Sequence, residues 1–339
     1  MSFEINPEGK PWIAYRQFCQ HFLAPLVLMK YRDVRFGRLC QLFIDGIPLN
    51  LASKILPART YLKPAILINI HLHANAQKRY SNRIVDLSEE SKQVSKQSIL
   101  GLINHLEKFV SNLDLGFSHT EWEDYHETHN YSTESLKHKK KIVVEFLERI
   151  NPRIVWDLGA NIGHFSRLAS DRGISTYAFD FDHGAVELNY RKCVEQKDTY
   201  LLPLVIDLTN PSPNIGWLNE ERISIINRGP VDCVFALALI HHIAITNNVP
   251  LEQVATFFSK LCKWLLIEFI PKDDEQVRRL LSSREDIFPY YSKEIFETVF
   301  KKYFEIVDIV KIGNSNRNIY LMKNFSKKEL NGENGCSIF

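Results

Sequence analysis

From Pro152 onward the chain falls into short apolar runs separated by helix-length stretches, and this alternation restricts its fold more than any other feature of its 339 residues. Ile154 to Asp157, Ser175 to Asp180, Leu202 to Asp207, Asp232 to Ala238 and Lys263 to Phe269 read as strands, with helices expected from His164 and from Gly184. Strands interleaved with helices make a parallel sheet covered on both faces. The fourth and fifth runs are apolar almost throughout, as strands buried on two sides must be. Helices are expected next at Glu275 to Leu281 and Lys293 to Lys302, then strands at Phe304 to Ile312 and Asn318 to Met322. The joint between those strands, Gly313 to Arg317, is short and rich in Gly and Asn, which favours an antiparallel hairpin.

The first part of the chain follows other rules. Tyr15 to Met29 and Val94 to Leu113 repeat apolar residues at helical spacing. Asp45-Gly46-Ile47-Pro48, Pro57 and Pro64 interrupt the stretch between them, and Ala65 to His73 fits a helix or a strand. The chain therefore divides into a mainly helical accessory or substrate-binding domain at 1–118, a catalytic α/β domain at 119–325 and a flexible tail at 326–339. A helix is expected over Leu136 to Ile150, with Lys137, Lys139, Lys140 and Lys141 reading as a solvated face.

A formal net charge of +2 lacks the concentrated basic patch of a nucleic-acid or membrane binder, so neither partner is expected. The six cysteines are scattered without metal or disulfide spacing and read as reduced thiols, and no metal site is expected. The N-terminus lacks the apolar stretch of a signal peptide and no run spans a membrane, which gives a cytoplasmic expectation. Cys336-Ser337-Ile338-Phe339 fits a C-terminal prenylation pattern but reads as a polar tail matching by chance.

Val155 to Gly163 ends the first strand and turns into a helix, the place where ligands bind in open α/β sheets. Asp157, Gly159, Asn161 and Gly163 form this corner, glycines letting the backbone approach a ligand closely. The second strand ends at Asp180, where a carboxylate can accept both ribose hydroxyls of an adenosine. Asp207, at the third, can accept from an adenine amine. A nicotinamide fingerprint starting at Gly159 needs glycines where Asn161 and His164 stand, so that reading fails. Three acids suit S-adenosylmethionine, which carries an ammonium, a sulfonium and no phosphate.

These residues resemble the class I S-adenosylmethionine-dependent methyltransferases, whose first motif is an acid before a Gly-rich turn, with acids at the next two strand ends. The resemblance spans Tyr131 to Asn324 and implies a Rossmann-like, seven-stranded methyltransferase sheet with the last strand antiparallel. Asn161 stands where the commonest motif has a glycine. Asp207 to Pro213, Ala236 to His242 and Glu268 to Pro271 resemble a bacterial branch related to nodulation-type methyltransferases, as do His21 to Pro25 and Asp45 to Leu49.

Methyl transfer to a hydroxyl benefits from a base, and His241 and His242 follow the fourth strand directly. Glu268 sits in an apolar run near the tip of the fifth strand, where an acid must be paired or face a cavity. Trp122, Tyr125, Asn130 and Tyr131 precede the first helix of the sheet domain, and Tyr131 is the candidate to cover the cofactor. His71, His73, Lys78, Arg79 and Arg83 read as a solvated basic stretch, the two histidines alternating as on a strand face. The expected activity is O-methylation of a small-molecule or saccharide-like acceptor, with N-methylation or a non-catalytic S-adenosylmethionine-binding regulator as alternatives.

Overall fold

The structure is a computed structural model, and it describes residues 6–7, 9–80, 94–115, 133–282 and 285–325. The chain divides into two compact units, Met1–Phe117 with Ile215–Leu218, and Ser118–Asn214 with Asn219–Phe339.

The first unit is helical. Tyr15–Phe18, a π-helical turn Cys19–Leu23 and Ala24–Tyr31 run on from one another. The ladder widens just ahead of Pro25, where Ala24 N–H reaches back to Cys19 O. Proline has no N–H to give to the carbonyl four residues back, and a π turn absorbs the missing bond. Pro64 opens a second such run, Pro64–Ile66, Leu67–Leu72 and His73–Tyr80, proline being suited to the first helical turn. Ala65 to His73 is thus helical, and His71 and His73 share no strand face. Nor is His71 solvated: it is fully buried, with Ser53 Oγ 2.7 Å from Nδ1, Thr60 Oγ1 2.9 Å from Nε2, and Tyr61 stacked at 3.8 Å. Leu23, Val27, Ile47, Ile66, Ile70 and Leu106 of the Lys96–Ser111 helix pack into one core.

The second unit is a seven-stranded sheet: β1 (Ile154–Leu158), β2 (Ser175–Asp180), β3 (Leu201–Val205), β4 (Val231–Ala236), β5 (Cys262–Phe269), β6 (Phe304–Lys311) and β7 (Asn318–Asn324). Their order is β3-β2-β1-β4-β5-β7-β6. β1 to β5 pair in parallel, and β7 runs antiparallel to both neighbours. This is the Rossmann-like sheet expected from the resemblance. Successive residues of the central strands feed opposite cores: Trp156, Val234 and Leu265 pack with Phe258 and Phe296, whereas Val155, Cys233 and Leu266 pack with Ile142 and Phe146. Both faces being covered, the strands read as continuous apolar runs.

Several boundaries differ from the expectation. β3 ends at Val205, and Asp207 lies beyond it, its Oδ1 accepting from Thr209 N at 3.0 Å and Thr209 Oγ1 at 2.6 Å. An Asx turn of this kind bends the chain out of the strand. β4 stops at Ala236 rather than Ala238, because Ala238 takes a left-handed φ of 54°. The helix expected from His164 begins at Ser166, after the glycine turn closes.

Candidate active site

The corner after β1 is pinned from several sides. Gly159 N and Ala160 N donate to Phe179 O, and Asn161 N donates to Asp180 Oδ2 at 2.7 Å, tying the turn to the tip of β2. Gly159, Asn161 and Gly163 have φ of 75°, 50° and 77°. Asparagine tolerates this left-handed region better than other residues with a Cβ, so Asn161 can stand in for glycine. Gly163 is more constrained: a Cβ there would lie 2.5 Å from the Asn189 amide and 2.7 Å from Arg167 Nη1, so these side chains would have to shift. Gly163→Ala is therefore expected to lower stability by about 2 kcal/mol or more in a urea titration, from backbone strain and overpacking together. Wild-type stability in that variant would mean that the corner relaxes freely.

Arg167 escaped the sequence reading. It is buried, and its guanidinium donates to Ile162 O at 2.8 Å, Gly163 O at 3.0 Å and Asn189 O at 3.1 Å, clamping the corner to the His183–Gln196 helix. The available signal was its position four residues after Gly163, on the inner face of a short helix.

Asp157 and Asp180 come together at this corner. Asp157 is buried at the end of β1 and its Oδ2 accepts from Ser166 Oγ at 2.6 Å. Burial pushes its carboxyl up to about 6, against the Ser166 hydrogen bond and the Lys139 charge, while the charge of nearby Asp180 pushes the same way as burial. Asp180 accepts from backbone N–H groups, Asn161 N on Oδ2 and Asp182 N on Oδ1 at 3.0 Å among them. Burial raises its pKa from the ordinary value despite these bonds. Asp207, on the loop past β3, has one oxygen engaged by Thr209 as described. Tyr131, with Trp122, Tyr125 and Asn130, lies outside the described residues.

Further along the strand tips lies a buried ionic network. Lys139, in the Thr133–Ile150 helix, donates to Glu268 Oε2 at 2.7 Å, both side chains being almost wholly enclosed. Arg317, at the start of β7, lies 3.8 Å from Glu268 Oε1 and donates to Asp274 at 2.7 and 2.9 Å. The lysine cluster is thus no uniform solvated face: Lys137 and Lys141 are exposed, whereas Lys139 turns inward to meet the one acid of β5.

His241 and His242 follow β4 with ring centroids 4.1 Å apart. His241 is fully buried, and among the described residues neither ring nitrogen has a hydrogen-bond partner. Burial, with the charges of His242, Arg317 and Lys139, drives its pKa well below the ordinary value. His242 keeps partial exposure, and burial lowers its pKa to about 4. Both imidazoles are neutral at neutral pH.

Among curated proteins, the nodulation protein NoeA of Rhizobium meliloti (strain 1021) is 33% identical over 325 residues, which cover 94% of this chain and 68% of NoeA. The chain belongs to the NoeA family. No family model matches it. Among solved structures, the PH0226 protein of Pyrococcus horikoshii OT3 aligns with 62% of this chain and 100% of its own, at 16% identity and a TM-score of 0.42. The bifunctional kinase-methyltransferase WbdD aligns with 65% of this chain and 46% of its own, at 18% identity and a TM-score of 0.38. The methyltransferase domain of a bacterial Hen1 aligns with 56% and 99%, at 15% identity and a TM-score of 0.39. Among the described residues, no helix is long and apolar enough to cross a membrane.

Proposed function

We propose that this NoeA-family protein is an S-adenosylmethionine-dependent methyltransferase that methylates an oxygen of a small-molecule or saccharide-like acceptor. The observation that carries the reading is the Asp180 carboxylate at the β2 tip, held by Asn161 N and Asp182 N beside the left-handed turn of Gly159, Asn161 and Gly163. A carboxylate has about four acceptor sites, so Asp180 keeps capacity for a ribose hydroxyl beside its backbone donors. The corner fits this cofactor on further grounds. Left-handed φ at Gly159 and Gly163 makes the tight turn at the strand tips, and Asp157 and Asp180 place acids where a cationic amino-acid ligand gains and a pyrophosphate loses.

When bound, S-adenosylmethionine would supply an electrophilic methyl carbon, to which the acceptor oxygen would bond as the carbon–sulfur bond breaks and the neutral thioether leaves. The residues of this chain have four tasks. Asp180 holds the ribose, and Asp157 favours the ammonium end. His242, neutral and partly exposed, accepts the hydroxyl proton on an imidazole nitrogen. The Lys139–Glu268–Arg317 network fixes the β5 and β7 tips relative to the Thr133–Ile150 helix, so Glu268 acts as a positioning group.

Incubating the protein with a cell extract and methyl-labelled cofactor, followed by mass spectrometry, tests the reading. A labelled product that requires Asp180 is expected. Cofactor binding with no labelled product in extracts of the native cell would favour a regulatory S-adenosylmethionine-binding protein instead.

A further inference from the structure

Two segments of the N-terminal unit that stand out in the sequence, around His21 and at Asp45 to Pro48, meet in space. Ile47 N donates to Gln20 O at 2.9 Å. Gly46 has a φ of 84°, and a Cβ on it would lie 2.7 Å from Gln20 Cβ, so glycine is what lets the turn press against the helical run. Beside this contact opens a cavity of about 950 Å³, lined by Arg16, Gln17, His21, Asp45, Asn50 and Gln77 among others.

The volume sits at the upper end of the roughly 300–1,000 Å³ of small-molecule sites, but those are walled mainly by apolar side chains. This one mixes amides, a carboxylate, an imidazole and the cations of Arg16 and Lys78 with apolar surface from Leu42, Phe43, Ile44 and Pro48. Gln17, His21, Asp45 and Asn50 make no side-chain hydrogen bond or ion pair to other described residues, so the fold does not consume their capacity. We propose that this cavity is a ligand site in its own right, for a polyhydroxylated, saccharide-type molecule. A sugar hydroxyl both donates and accepts. Primary amides match it with donor and acceptor on one plane, Asp45 adds acceptors, and Arg16 adds donors. An apolar ligand would strip these groups of water without replacing their hydrogen bonds. A simple anion would find Arg16 and Lys78 but would leave the amides' acceptors and the Asp45 carboxylate unmatched. The inference concerns binding alone and stands whether or not the sheet unit transfers methyl groups.

The test is calorimetric titration of the full-length protein with maltotetraose, tetra-N-acetylchitotetraose and tetragalacturonate, with inorganic phosphate as the anion control. At least one oligosaccharide is expected to bind. Asp45→Ala combined with Asn50→Ala should weaken that binding about tenfold or more while the unfolding temperature stays at the wild-type value, because both positions are exposed and bond to nothing in the fold. Gln17→Ala, also exposed, gives the same reading should the double variant be unstable. Binding by phosphate alone, by none of the three oligosaccharides at millimolar concentration, or undiminished in the variants would overturn the proposal.

Discussion

Lys139→Met is expected to destabilise the protein by about 3–5 kcal/mol in urea unfolding, because it leaves a buried carboxylate without its closest cation. Glu268 is fully buried and its Oε2 accepts directly from Lys139 Nζ. Arg317 is only a weak substitute. It lies 3.8 Å from the other carboxylate oxygen, and its guanidinium is already committed to Asp274 through two hydrogen bonds. Adding Glu268→Met to Lys139→Met should recover most of the loss, since a buried pair replaced by apolar groups of similar size costs little. Losses that simply add in the double variant would show that the two groups do not depend on each other.

His242→Ala is expected to lower turnover by about a hundredfold or more with cofactor affinity nearly unchanged, the range typical of a general base. His241→Phe should behave differently. Neither nitrogen of His241 bonds to a described residue, so an apolar ring of similar shape gives up no such bond and stability should hold or rise. The pH profile follows from the same burial. With His242 held near 4 and His241 well below its ordinary value, turnover should show no histidine step between pH 6 and 9 and should fall only as pH approaches about 4. Stability runs the same way. Both groups titrate near 6.5 when unfolded and lower when folded, so their contribution is intact above about 6.5 and is lost as pH falls from there toward 4. A sigmoidal rate profile centred near 6.5, or full turnover in His242→Ala, would remove His242 as the base.

The sheet was legible in the sequence because burial on both faces leaves a direct trace: apolar residues on nearly every step of β4 and β5, and a Gly/Asn joint where the chain reverses into β7. Ends of strands were less legible. Asp207 reads as the last residue of a strand, but its side chain bends the backbone through Thr209, and Ala238 leaves β4 through a left-handed φ that no pattern announces. Asp157, the glycines and Asp180 were found because they are fixed by backbone geometry at one corner, which local sequence records. Lys139 was misjudged for the opposite reason. Its partner Glu268 lies 129 residues away, and nothing within the lysine run distinguishes the inward member from the exposed ones. Arg167 was missed likewise, since its role lies in carbonyls of two other segments. The Ala65 to His73 stretch had both helical and strand readings, and Pro64 at the first turn settles it as helix.

Calorimetric titration of S-adenosylmethionine into the wild-type protein and into Asp180→Asn and Asp180→Ala tests the cofactor site most directly. The wild type should bind, Asp180→Asn, which keeps one acceptor oxygen, should bind more weakly, and Asp180→Ala should lose about tenfold to a hundredfold in affinity, as expected for hydrogen bonds to a charged group. Each variant's circular dichroism should match that of the wild type. A wild-type protein that does not bind S-adenosylmethionine, or a folded Asp180→Ala that binds it undiminished, would contradict the placement of the cofactor at the β1 and β2 tips.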